Sequence, residues 1–146
     1  MTDPTATMQT AYFTKLSTPP IVYGGHKVKV YSDFAPSNAK APYIILGSQT
    51  LVDSSNKTAF GSDFTQAVTI VDVTDASVTA RARLFSVANT VVERIRTRKF
   101  TLPSASEFDA TTVTLDNAIT LTERTANRTV LRRELRFRHI INQHPQ

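Results

Sequence analysis

The amino-acid sequence predicts an α+β fold: a mostly antiparallel β-sheet with two helices packed on one face, a long β-hairpin arm and a C-terminal β-hairpin. Three observations carry that prediction. Apolar residues follow the three-and-four spacing of a helix in only two stretches, one near the start and one at about residues 76–97. Elsewhere the pattern alternates with period two, most clearly over residues 64–73 and 131–141. The chain also holds 22 Thr, a β-branched residue whose hydroxyl suits a half-buried pleated surface. A length of 146 residues fits one domain, 1–146, and leaves no room for two.

The elements follow in order. Asp3 can cap a helix over residues 3–16, with Pro4 at its first helical position and Met8, Ala11, Tyr12 and Leu16 on one face. Pro19-Pro20 stops it, Gly24-Gly25 makes a turn, and a short strand starts at Val28, Val30 and Tyr31 and ends near Pro36. After Pro42, the run Tyr43-Ile44-Ile45-Leu46 reads as a central strand covered on both faces and ended by Gly47. Residues 48–62 are too polar to bury and predict a flexible exposed loop or hairpin arm of the kind that touches partners. The next strand places Phe64, Gln66, Val68, Ile70 and Asp72 on one face and Thr65, Ala67, Thr69, Val71 and Val73 on the other.

Asp75 or Ser77 can cap the second helix, whose buried stripe is expected at Val78, Ala82, Phe85, Ala88, Val92 and Ile95, with Val91 beside it. Arg83, Asn89, Glu93 and Arg96 then fall opposite, and Arg94, Arg96, Arg98 and Lys99 meet the negative end of the helix dipole. Residues 101–110, with Pro103 and Ser104-Ala105-Ser106, read as a linker. Two long strands, 111–125 and 129–142, are joined through Ala126-Asn127-Arg128. In the last strand Leu131, Leu135, Phe137 and Ile141 line one face, interrupted by Arg133 and His139, while Arg132, Glu134, Arg136 and Arg138 occupy the other. The predicted order is α-β-β-β-α-β-β.

Composition excludes several chemistries. With no Cys there is no disulfide framework, thiol catalysis or thiolate metal site, and three scattered His leave little for a metal centre or cofactor. None of His26, His139 and His144 lies in a nucleophilic-triad context, and Gly24-Gly25 leads into His26-Lys27-Val28 rather than into the helix a phosphate loop needs. Glu107 and Asp109, the nearest carboxylate pair, fall in the linker, where solvation accounts for them. The sequence therefore predicts a protein that is not an enzyme. Its longest apolar run is too short to span a bilayer, so no membrane partner is expected. Met1-Thr2-Asp3-Pro4 lacks the basic start and apolar core of a secretion signal, which predicts folding in a reducing cytoplasm.

The formal charge of +5 is unevenly placed. Residues 1–73 hold five Lys against five Asp, whereas residues 74–146 hold eleven Arg and one Lys against seven acids. Arg132, Arg136 and Arg138 alternating on one strand face could meet nucleic acid, but single-strand binders interleave exposed aromatics, and Phe137 falls on the opposite face. Glu134 among the arginines favours ionic contact with an acidic neighbour in an oligomer. The expected interface residues are Ser54, Ser55, Asn56 and Lys57 in the arm and Arg132, Glu134, Arg136 and Arg138 on the strand.

Several phrases resemble the tail-completion or tail-terminator proteins of long-tailed bacteriophages and related gene-transfer particles. They are residues 28–36 (VKVYSDFAP), residues 41–47 (APYIILG), the strand through Val68-Thr69-Ile70 before the amphipathic helix, and the Leu135-Arg136-Phe137-Arg138 strand. The chain departs from the pattern at Asp72 and Val73, where many relatives carry an aromatic, and in its Ser-rich 101–112 segment. The resemblance implies a virion protein that joins copies of itself, typically six, into a ring at the head-proximal end of a tail. Such a ring ends polymerisation of the tail tube protein and docks a neck or head-completion protein, while the genome passes its bore without specific DNA recognition. It implies assembly in the bacterial host cytoplasm and location in the virion. The alternatives are another neck ring (connector, stopper or adaptor) or a small basic nucleic-acid-binding module.

Overall fold

Asp3 lies just outside the first helix, and its Oδ1 accepts a hydrogen bond from Thr5 N at 2.8 Å. The computed structural model describes residues 3–75, 81–97, 100–103 and 106–144. Helix α1 (Thr5–Ser17) has Pro4 at its N-cap, so the helix starts one residue later than an Asp3 cap implies. It buries Met8, Ala11, Tyr12 and Leu16, the four residues the spacing selects.

Two short strands, β1 (Ile21–Tyr23) and β2 (His26–Val28), form a hairpin closed by Gly24 and Gly25 at φ +57° and +78°. Positive φ at both central positions is the geometry of a two-residue hairpin turn, which glycine adopts without a Cβ penalty. The single predicted strand is therefore three: β3 (Val30–Ser32) leaves this hairpin and pairs in parallel with β4 (Tyr43–Asp53). The rest of the main sheet is antiparallel, with β5 (Gly61–Asp75), β6 (Phe108–Arg124) and β7 (Arg128–Gln143) in the order β3-β4-β5-β7-β6. Helix α2 (Arg81–Ile95) packs on the same face as α1, which establishes the α+β fold with both helices on one side.

Several sequence expectations change here. Strand β4 does not end at Gly47 but passes it through a register shift between Leu46 and Gln49 and runs on to Asp53. It stands second in the sheet, and of its apolar run only Ile44 and Leu46 are buried, because no helix covers the face that holds Tyr43 and Ile45. In α2 the buried stripe is Leu84, Val87, Ala88, Val91 and Ile95, while Ala82 and Phe85 are exposed. Leu84, Val87, Val91 and Ile95 keep the same three-and-four spacing one position round the helix, and Phe85 instead packs under the Arg133 guanidinium. Asp75 ends β5 rather than capping the helix, and Ser77 and Val78, like Arg98 and Lys99, lie outside the described residues. The 101–110 segment is not a free linker: Phe100, Phe108 and Ala110 are core residues, Phe100 bridges to Ala110, and β6 already begins at Phe108.

Two of the polar contacts between the helices and the sheet involve fully buried groups of the sheet. The Tyr12 hydroxyl and Nε2 of His139 on β7 share a hydrogen bond, inside a cluster with Phe64, Phe100 and Phe137. His139 is fully buried, and burial pushes its imidazole down to about 4 while holding the Tyr12 phenol well above its ordinary value. Nδ1 of His139 is buried without a partner among the described residues. On the other side Arg83 of α2 grips the fully buried Asp72 of β5 through both guanidinium arms, its Nε 2.7 Å from Oδ2. Arg83 was expected on the solvent side of its helix; its long stem instead reaches back to the only buried carboxylate among the described residues.

Both contacts have measurable consequences. Unfolded, His139 binds a proton near pH 6.5, whereas the folded chain resists it down to about 4, so stability falls as pH drops through that window. Urea titrations should show about 2 kcal/mol of extra loss between pH 7 and pH 5 that the double variant Tyr12→Phe/His139→Leu does not show. Replacing Arg83 by Met strands the Asp72 carboxylate and is expected to cost roughly 3 kcal/mol, with much of that recovered in Asp72→Leu/Arg83→Met.

Candidate interaction surface

Because both helices lie on one face, the other face of the sheet is open, and the register states what it carries. Tyr31, Ile45, Thr69, Glu134 and Ile119 form one row across the five strands. Tyr43, Val71, Arg132 and Leu121 form the next, and the Tyr31 and Tyr43 rings meet edge-on at 5.9 Å. Ile119 and Leu121 are about two-fifths exposed, which marks apolar surface beside the outer strand. A small hollow of about 80 Å³ opens on this face between Ala67, Asn117, Ile119, Glu134 and Arg136.

The charged residues of β7 lie on this open face, as alternation predicts, but they are not equally free. Arg138 grips Asp63 on β5 through both guanidinium arms, Nε lying 2.7 Å from Oδ1, which keeps the Asp63 carboxyl below its ordinary value. Arg132 reaches Glu123 on β6 at 3.3 Å, an exposed pair of small energetic weight. Glu134 and Arg136 are exposed and have no ion-pair partner among the described residues. Asp63 and Glu123, the partners within this chain, escaped sequence reasoning because strand adjacency, not sequence spacing, brings them beside the arginines.

The polar segment 48–62 is divided between structure types. Residues 48–53 belong to β4 and 61–62 to β5, so the connecting loop is only 54–60. Two of the expected interface side chains are used inside that loop. Asn56 Oδ1 accepts from Thr58 N and Ala59 N, both at 2.9 Å, and Ser55 Oγ accepts from Gly61 N at 3.1 Å. Ser54 closes the hairpin through its backbone N–H to Gly61 O at 2.9 Å. Lys57 remains exposed without a partner among the described residues, and Val52 and Phe60, 63% and 54% exposed, flank the loop as apolar residues the sequence did not single out.

These expected residues form a line, not a pocket. The loop stands at the Asn142 end of the sheet, Arg138 comes next opposite Thr65, and Arg132 lies opposite Val71, about 20 Å further along the strand. Both lateral edges of the sheet are open as well. Among the described residues, β6 has Phe100 beside it only at Ala110, and β4 beyond Leu46 has no strand partner on its β3 side. Two register shifts in β6, at Ala110/Thr112 and Leu115/Asn117, twist that edge and limit unregulated pairing. Among the described residues no group of three His, Asp or Glu could hold a metal ion, and no helix is long and apolar enough to cross a membrane.

Comparison with known proteins places the fold. No family model matches the chain, and no curated protein matches its sequence. Among solved structures it is similar to a chain of the virion of a native gene transfer agent particle. The TM-score is 0.71 at 20% identity, over 97% of this chain and 99% of that one. The likeness covers both chains nearly end to end, so the two share one fold.

The charge pairing on the open face gives a direct expectation for DNA. With Arg138 held by Asp63 through both arms and Arg132 only in a weak exposed pair with Glu123, any contact of this face with duplex DNA should show a log affinity falling with log salt at a slope of about −1 to −2. Three free cations would give a slope near −3. A filter-binding or anisotropy salt series distinguishes the two.

Proposed function

We propose that this chain is a virion structural protein without catalytic activity, a tail-completion subunit that joins copies of itself into a ring at the head-proximal end of a phage-like tail. In this reading the ring ends growth of the tube protein on one side and receives a neck or head-completion protein on the other, and the genome passes through its bore. The observation that carries it is the near end-to-end likeness to a chain of a gene transfer agent virion.

The surfaces fit such a role. A closed ring is built from one repeated head-to-tail contact, which needs two different surfaces on each copy. The chain offers two unlike open edges, the long twisted β6 on one side and the β3 and β4 edge on the other. The uncommitted Glu134 and Arg136 and the exposed Val52, Lys57 and Phe60 supply charged and apolar groups for contacts with further copies or with the tube.

Native mass spectrometry over a concentration series, with and without short duplex DNA, tests the reading. A closed species of six times 16.1 kDa formed without DNA is expected. A chain that stays monomeric and takes up DNA would overturn it in favour of a nucleic-acid-binding module.

A further inference from the structure

Three of the five lysines of the first half surround one cleft. Lys27 on β2, Lys29 just before β3 and Lys40 in the 33–42 loop line a concavity of about 460 Å³, together with His26, Tyr31 and Asn38. No Asp or Glu lines it, and all three lysines are exposed without a hydrogen-bonded or ionic partner among the described residues. Like charges gathered with no counter-charge repel one another, and an anionic ligand relieves that repulsion. The His26 ring lines the same cleft. Beside the cleft, in the loop that forms its wall, Phe34 is 79% exposed, the most exposed large apolar side chain of the described residues.

We infer that this cleft binds an acidic peptide segment of a partner protein, its carboxylates meeting Lys27, Lys29 and Lys40 and an apolar neighbour packing on Phe34. The shape favours peptide over nucleic acid. A duplex presents a convex rod of phosphates about 20 Å across that cannot enter a concavity of this volume. Single strands bind by stacking successive bases on several open aromatic rings, and here only Phe34 stands open, since Tyr31 is set edge-on against Tyr43. An exposed aromatic beside a cationic pocket is instead the arrangement of a peptide anchor flanked by charge contacts. The site lies apart from the β7 arginines and does not depend on ring formation.

The test uses the full chain and a fluorescent peptide of alternating Glu and Phe, followed by anisotropy at low salt. Binding should weaken at least about tenfold in Lys27→Ala/Lys29→Ala/Lys40→Ala and stay unchanged in Arg136→Ala. It should also weaken in Phe34→Ser, and the His26 ring signals should shift on titration in an NMR spectrum. Full affinity in the triple-lysine variant would overturn the site. So would duplex DNA of equal charge binding more tightly than the peptide through the same lysines, or failure of the wild-type chain to bind at millimolar peptide. The titration is run at chain concentrations where native mass spectrometry shows the monomer, so none of these outcomes depends on whether the chain forms a ring.

Discussion

The unbroken pairing of β5 with β7 is the constraint on which the rest of the structure depends. From Gly61 opposite Asn142 to Asp75 opposite Arg128 the two strands stay in register, so every second residue of both is committed to the same face. On one side this stacks Phe64, Val68 and Ile70 with Leu131, Leu135 and Phe137 and gives the helices an apolar floor. On the other it aligns Thr65, Thr69 and Asp63 with Glu134, Arg136 and Arg138. A slip of one residue would place Asp63 and the arginines under the helices and the core residues in water. Three polar residues on the helix side fit because they have partners: Asp72 has Arg83, His139 has Tyr12, and Gln66 bonds Gly47 O and Ala67 O at the register shift of β4.

The one-sided placement of the helices decides what the molecule can do. A sheet covered on both faces would leave only loops for recognition, whereas this one exposes a broad polar face, two edges and a hairpin end at the same time. Rigidity comes with that exposure, since the open face is backed by the same strands that hold the core. An assembly subunit must present several surfaces in fixed relation, and a scaffold of long paired strands does so without ordering them at the moment of contact. The loop 54–60 follows the same rule, its Asn56 and Ser55 side chains tying it to its own backbone.

Most of the architecture was legible in the sequence because period is a strong signal over long elements. The buried residues of α1, the two faces of β5 and the two faces of β7 follow from spacing alone. Legibility fails where elements are short or where a neighbour overrides spacing. Three-residue strands such as β1 and β2 carry no measurable period, although Gly24-Gly25 between Tyr23 and His26 was a usable hairpin signal. A stripe that starts at Val78, which lies outside the described residues, leaves out Leu84 and Val87, because one starting position turns the whole face of a helix. Phe100 and Phe108 were hidden by the polar residues between them. For the candidate surface, the charged strand could be read, but the carboxylates opposite it could not, since pairing between strands is a property of the fold.

That last point changes the meaning of the charge arithmetic. The excess of arginine in the second half draws attention to β7, yet the planar guanidinium is the cation best suited to bind carboxylates and carbonyls within the chain. Arg83 is held by Asp72, Arg138 by Asp63 and Arg132 by Glu123, Arg133 reaches Thr120 and the Phe85 ring, and Arg94 donates to Lys15 O and Pro19 O. Much of the C-terminal positive charge is therefore structural. Lysines are balanced by aspartates in number in the first half, but Asp63 and Asp72 are occupied by arginines from elsewhere in the chain. Free positive potential is also left where the sequence count showed none, around Lys27, Lys29 and Lys40. Net charge by segment locates ions along the chain; only the pairing of strands and helices determines which of them remain for a partner.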